Sequence, residues 1–280
     1  MIKAKLNIRK IIVYFLLSLI GLYLIAVLAM YSIQRHLMLR PIPLDKDYIF
    51  QFDQPFKEYY LPAKDGSSIN ALHFLSEGVQ RGVVLYFHGN ADNLQRWGQY
   101  AIDFTQRGYD VLMIDYRSFG KSKGKVSEEA FYQDAKMAYQ WLRQRFMPEE
   151  IIIYGRSLGA AVAAQLATQV PARMLLLETP FDRMLTAVKH RIPSLFLPFP
   201  LSYQFPNDEF IPQVDYPICI FQGTADDIVP YYSAEKLKPL LKPSDEFITI
   251  ENGRHKNLRT FAVYQTVLER LLGLDEFEGE

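Results

Sequence analysis

Ile151-Ile152-Ile153-Tyr154-Gly155-Arg156-Ser157-Leu158-Gly159-Ala160-Ala161-Val162-Ala163-Ala164 runs from a β-branched apolar strand pattern, through G-x-S-x-G, into an alanine-rich helix pattern. A serine on such a strand-to-helix turn is held out where its hydroxyl can attack, and the flanking glycines let neighbouring backbone approach without a Cβ. Ser157 is therefore the expected nucleophile. The N–H of Leu158, at the start of the helix, is an expected oxyanion donor.

Outward from this motif, short β-rich runs alternate with amphipathic segments. The predicted strands are 58–61, 69–75, 83–88, 111–115, 151–154, 174–177, 218–222 and 247–250. Lys64-Asp65-Gly66-Ser67 is a hairpin signal between the first two. Helical patterns occupy 92–107, 127–145, 158–169, 233–241 and 258–273. Continuous apolar strands separated by amphipathic helices describe a mostly parallel sheet covered on both faces, an α/β fold in one domain over residues 57–280. Residues 181–215 break the alternation, with five prolines among Leu195, Phe196, Leu197, Phe199, Leu201, Tyr203 and Phe205, and read as a cap insertion.

The N-terminus has its own character. Residues 1–10 carry Lys3, Lys5, Arg9 and Lys10, and residues 11–33 are apolar and uncharged. Those 23 residues make a helix of roughly 35 Å, enough to cross a hydrocarbon core. A cleaved signal peptide, with Val27-Leu28-Ala29 as the cleavage site, is the rival reading, although signal cores are usually shorter. Basic residues ahead of the span, against Arg35 and Arg40 behind it, put the N-terminus in the cytoplasm and the catalytic domain outside it, periplasmic in a bacterium. Residues 34–56, interrupted by Pro41 and Pro43, read as a juxtamembrane linker. The 31 basic and 31 acidic residues cancel, which argues against nucleic acid as a partner. Cys219 is the only cysteine, so the chain forms no internal disulfide. The histidines are scattered, and neither a metal site nor a cofactor is expected.

A serine nucleophile needs a base and a carboxylate to orient it. His255, in Asn252-Gly253-Arg254-His255-Lys256-Asn257, follows the last predicted strand, where working residues of open α/β sheets gather. Gly223-Thr224-Ala225-Asp226-Asp227 follows the preceding strand, and Asp226 is preferred to Asp227 as the acid. The second oxyanion donor is expected at the N–H of Asn90, in His88-Gly89-Asn90-Ala91.

The order Ser157, Asp226, His255, with the motifs H-G-N, G-R-S-L-G, G-T-A-D-D-I-V-P and G-R-H-K-N, resembles the α/β-hydrolase superfamily. The resemblance is close to its membrane-anchored branch, which includes the eukaryotic protein depalmitoylases, and covers roughly residues 57–272. Asp115-Tyr116-Arg117-Ser118-Phe119-Gly120-Lys121-Ser122 matches that family's structural D-Y-R-G-Y-G-x-S segment, with Ser118 and Phe119 in place of Gly and Tyr. Gln222 stands where the family usually has a histidine before the acid. The resemblance implies hydrolysis of carboxylic esters or thioesters through an acyl-enzyme. Leu195, Phe196, Phe199 and Phe205 of the cap are the expected acyl-binding residues, serving a small-molecule or lipid acyl substrate beside the membrane. A serine-aminopeptidase-like peptidase and a non-catalytic membrane-anchored binding protein are the alternatives. The oligomeric state is not written in the sequence.

Overall fold

A computed structural model describes residues 8–273. It opens on helix α1 (Ile8–Met38). Strands β1 (Phe56–Pro62), β2 (Ser68–Phe74) and β3 (Gly82–Phe87) lead to the short helices α2 (Leu94–Trp97) and α3 (Ile102–Thr105) and to β4 (Tyr109–Ile114). The chain continues through α4 (Glu128–Leu142), β5 (Ile151–Arg156), α5 (Leu158–Ala167), β6 (Met174–Glu178), α6 (Met184–Lys189) and α7 (Asn207–Phe210). It ends with β7 (Ile218–Gly223), α8 (Tyr231–Glu235), β8 (Glu246–Ile250) and α9 (Ala262–Leu271).

The eight strands form one sheet in the order β1-β2-β4-β3-β5-β6-β7-β8. The β1–β2 and β2–β4 pairs are antiparallel and the rest are parallel. Strand alternation supplies two cores. Val83, Leu85, Phe87, Ile151 and Ile153 pack under α4 and α5, while Val84, Tyr86, Ile152 and Tyr154 pack on the opposite face with Phe104 and Tyr264. Both faces are buried, which is why the central strands read as unbroken apolar runs. After β3 the chain moves to β4 on one side, and β5 lies on the other. The ends of β3 and β5 therefore flank the point where strand order reverses, the usual crevice for a ligand.

Each predicted strand is present. The 92–107 pattern is not one helix but two four-residue turns, α2 and α3, joined by a 3₁₀ turn that includes Gly98. A Cβ at Gly98 would lie 2.4 Å from the Phe52 ring, so close packing there demands glycine and interrupts the helix. The 233–241 pattern likewise shortens to α8 and a 3₁₀ turn holding Pro239.

Helix α1 is long and apolar enough to cross a membrane, and its apolar side chains are exposed. It runs past residue 33 to Met38, because Gln34, Arg35 and His36 end the apolar run without breaking the helix; Pro41 lies just beyond its end. Lys3 and Lys5 of the basic segment lie outside the described residues.

The segment expected to be a linker is docked on the domain. Asp92 N donates to Arg40 O at 3.0 Å, Gly120 N to Ile42 O at 3.1 Å and Leu44 N to Gly120 O at 2.9 Å. Phe50 and Leu39 are buried. Prolines 41 and 43 prevent a helix here, but the N–H and C=O groups between them are free to pair with the loops after β3 and β4.

Candidate active site

Ser157 sits between β5 and α5 with φ 54° and ψ −116°, and its N–H donates to Glu178 O on β6 at 2.9 Å. A non-glycine residue in this region carries about 1–3 kcal/mol of strain, sustained by the packing around it. That packing is tight: a Cβ on Gly155 would lie 2.3 Å from Gly159 O, and one on Gly159 would lie 2.0 Å from Phe87 O. Alanine at either position would push the elbow out of place. Leu158 and Gly159 occupy the first turn of α5, where N–H groups have no partner within the helix.

His255 lies in the loop after β8 and Asp226 in the loop after β7. The His255 Nδ1 is 2.8 Å from Asp226 Oδ2. The same carboxylate accepts from the backbone N–H of Ile228 at 2.9 Å and Val229 at 2.8 Å through Oδ1. Gln222 Nε2 reaches Oδ2 at 3.4 Å. A carboxylate only accepts, so Nδ1 carries the proton and Nε2 is left with a free lone pair. Asp227 is exposed, and its backbone carbonyl accepts from Arg191 Nη2 at 3.1 Å.

Ser157, Leu158, Asn90 and His255 all line one cavity of about 400 Å³. The loop carrying Asn90 is clamped from below. Tyr116 Oη donates to His88 O at 2.8 Å, and His88 is buried with its Nδ1 2.8 Å from Gly89 O. The side chain of Asn90 is committed elsewhere, accepting from Arg40 N at 3.0 Å and donating to Met38 O. Asn90, which lines the cavity, thus ties its loop to the end of α1.

Sequence reasoning missed a buried ion pair beneath the site. Arg156 Nε lies 3.1 Å from Glu178 Oε1, and both residues are nearly inaccessible. Tyr154 Oη donates to the other Glu178 oxygen, and Arg156 Nη2 donates to His255 O at 3.0 Å. The guanidinium also lies over Tyr100, at 4.7 Å from the ring centroid. The Arg156 side chain therefore spans from the strand that leads into Ser157 to the loop that carries His255. Its only signal in the sequence is the charged residue inside an otherwise apolar elbow.

The acyl-binding expectation is corrected. None of Leu195, Phe196, Phe199 and Phe205 lines the cavity. Phe205 is 0% exposed and packs against Phe131 and Tyr203 in the core. Phe199 meets the Tyr31 ring of α1 edge-on at 5.3 Å, and Leu195 O accepts from Tyr23 Oη of α1 at 3.0 Å. The apolar wall comes instead from Met184, Ala187 and Val188 on α6, with Ile192, Ile228 and Val229. Arg40, Arg96, Arg191 and Lys256 also line the cavity, and no carboxylate among the described residues does. Among the described residues no cluster of three His, Cys, Asp or Glu side chains is arranged to hold a metal ion.

A family model described as serine aminopeptidase, S33, matches residues 78–197. The protein Rv2307c of Mycobacterium tuberculosis is 30% identical over 204 residues, covering 72% of this chain and 73% of its own length. The lysophosphatidylserine lipase ABHD12 of Danio rerio is 28% identical over 232 residues, 66% of this chain, and the match spans only 59% of that longer protein. Among solved structures, the Pyrococcus furiosus esterase Pf2001 superposes with a TM-score of 0.67 at 17% identity, over 86% of this chain and 98% of that one. This last likeness is one of fold.

Proposed function

We propose, from the premise that this chain belongs to the α/β-hydrolase superfamily and is a serine hydrolase, that it is a membrane-anchored enzyme cleaving carboxylic ester or thioester bonds of lipophilic acyl groups. Ser157 Oγ attacks the acyl carbon as His255 Nε2 takes its proton, and Asp226 stabilises the imidazolium. The N–H groups of Leu158 and Asn90 donate to the oxyanion of the tetrahedral intermediate. His255 returns the proton to the departing oxygen or sulfur, leaving an acyl-enzyme. Water then enters by the same proton transfers and releases the acid. The observation that carries this reading is the 2.8 Å contact between His255 Nδ1 and Asp226 Oδ2, in a loop lining the same cavity as a strained Ser157.

The character of the cavity narrows the substrate. An aminopeptidase must hold an α-ammonium group, which calls for a carboxylate in the pocket, whereas among the described residues this cavity is lined by four cationic side chains besides Arg156 and by no acid. Apolar α6 on one side and cations around the rim favour an acyl chain joined to an anionic leaving group. The lysophosphatidylserine lipases among the relatives act, by name, on a substrate of that kind. Helix α1 would hold the domain at the bilayer, with the basic N-terminal segment cytoplasmic and the catalytic domain on the other side.

The test is a fluorophosphonate probe and a matched substrate panel. Ser157→Ala should abolish labelling and cost on the order of 10⁶ in turnover. At equal acyl length, esters with a phosphate-bearing leaving group should outrun esters of choline, and the gap should shrink with added salt. Faster turnover of aminoacyl amides than of either ester would favour the peptidase reading instead.

A further inference from the structure

Contacts at three heights join α1 to the cap, and they run in register. Ser202 N donates to the buried Gln34 Oε1 at 2.9 Å, the Phe199 ring packs edge-on to Tyr31, and Leu195 O accepts from Tyr23 Oη. Residues 23, 31 and 34 fall on one face of the helix, so residues 202 back to 195 climb along α1 toward its N-terminus. The climb covers 11 helical residues, or about 16 Å. Gln34 follows directly on the apolar run 11–33, at its water-facing edge. If 11–33 spans the bilayer, Leu195 lies about as deep as the midplane, since half a hydrocarbon core is about 15 Å.

The segment is composed for such a place. Residues 192–207 carry no charge, and residues 193–201 read P-S-L-F-L-P-F-P-L. Pro193, Pro198 and Pro200 have no N–H to leave unpaired in hydrocarbon. Phe196 N and Leu197 N donate to Pro193 O and Ser194 O, both at 3.0 Å, and Tyr23 supplies the bond to Leu195 O. Yet Leu195 is 66% exposed and Pro198 and Pro200 are also open, an arrangement costly in water.

We propose that residues 193–201 form a wedge embedded in the acyl region of the leaflet nearer the domain, packed on α1 and touching lipid chains through Leu195 and its neighbours. The occupant of this face is the bilayer itself, because the segment continues the lipid-exposed surface of the helix it rides on. The wedge also connects with the site. Arg191 and Ile192, directly before it, line the cavity, as do Met38 and Arg40 at the end of α1. The cavity mouth then sits at the depth of lipid headgroups, with its apolar wall continuous with the wedge, so an acyl chain can pass from the leaflet to Ser157 without crossing water.

This rests on the reading of 11–33 as a membrane span, and the experiment separates the two. In a Cys219→Ser background of the full chain, a nitroxide is placed singly by Leu195→Cys, Leu22→Cys or Val79→Cys, each at an exposed position, and the protein is reconstituted in phosphatidylcholine–phosphatidylglycerol vesicles. Relaxation by oxygen, which concentrates in hydrocarbon, is compared with relaxation by a water-soluble nickel chelate. The expected result is an oxygen-to-nickel ratio above one at positions 195 and 22, and below one at position 79. A ratio at 195 matching that at 79, with 22 still in lipid, overturns the wedge and leaves the span standing. Shielding of 195 from both reagents overturns it in favour of a protein partner. Nickel access at 22 overturns the span, and the wedge with it.

Discussion

Asp226→Asn tests the orientation of the base more sharply than removal of the residue does. Asp226 Oδ1 accepts two backbone N–H groups, from Ile228 and Val229, at 2.9 and 2.8 Å. An asparagine has one acceptor oxygen, and those two donors fix it where Oδ1 is now. Its NH₂ group must then face His255 Nδ1, where a carboxylate oxygen lies at 2.8 Å in the native protein. A donor at that point accepts no proton from Nδ1, so the ring adopts the tautomer with its proton on Nε2. Nε2–H cannot take the proton of Ser157. The fold should survive, because the buried loop keeps both backbone bonds and loses one charge and the long 3.4 Å contact from Gln222. We expect kcat/KM for a p-nitrophenyl acyl ester to fall roughly 10⁴-fold at neutral pH, with the unfolding midpoint little changed. Asp227→Asn, on an exposed side chain, should stay close to wild type. A folded Asp226→Asn enzyme within tenfold of wild type would sink the assignment of Asp226, and a crippled Asp227→Asn would move the acid one residue on.

The ion pair beneath the elbow predicts a different failure. Glu178→Gln leaves the Arg156 guanidinium buried without its counter-charge, which should cost about 3–5 kcal/mol in urea unfolding; a loss below about 1 kcal/mol would show the pair to be dispensable. Val188→Ser, on the cavity's apolar wall, should reduce the gain per added methylene, which in an intact apolar pocket is worth about 0.8 kcal/mol. Selectivity among C4, C6 and C8 esters should flatten, and an unaltered chain-length profile would place the acyl group elsewhere. Burial pushes the Asp103 carboxyl up to about 6, against the pull of Arg259 beside it. The folded state therefore holds this proton more tightly than the unfolded chain. As pH falls from 7 toward 4, wild type should gain stability relative to Asp103→Asn, by on the order of 2 kcal/mol, with the gain complete below the unfolded-state value. A difference independent of pH would show that Asp103 does not titrate in this window.

Residues whose placement is fixed by local backbone could be read directly. The strand-to-helix elbow needs glycine at 155 and 159 because carbonyl oxygens of Gly159 and Phe87 occupy the space a Cβ would need, and that demand is written into five consecutive letters. The positions of Asp226 and His255 follow from strand order, since each comes directly after a predicted strand. Asp226 rather than Asp227 was a matter of one residue, and the structure separates them by burial and by bonds to Ile228, Val229 and His255. The Arg156–Glu178 pair joins residues on adjacent strands, at the last rung of the β5–β6 register. Register between strands is a tertiary fact, and nothing within either strand announces it.

The cap shows where hydropathy stops informing. Val188, Leu195 and Phe205 are similarly apolar, yet they meet three different surroundings. Val188 lines the cavity, Phe205 is packed among Phe131 and Tyr203, and Leu195 stands exposed beside α1. A transfer free energy measures how strongly a side chain leaves water, and it is the same whether the destination is a core, a substrate pocket or lipid. The prolines at 193, 198 and 200 remove the periodicity that would have sorted one face from another. What does distinguish the destinations is the polar complement. Phe205 N is held by Glu128 of α4, which draws the ring inward, while Leu195 O is held by Tyr23 of a helix with a bare apolar surface. The sorting of the cap thus depends on hydrogen bonds reaching 77 and 172 residues along the chain, beyond any sequence window.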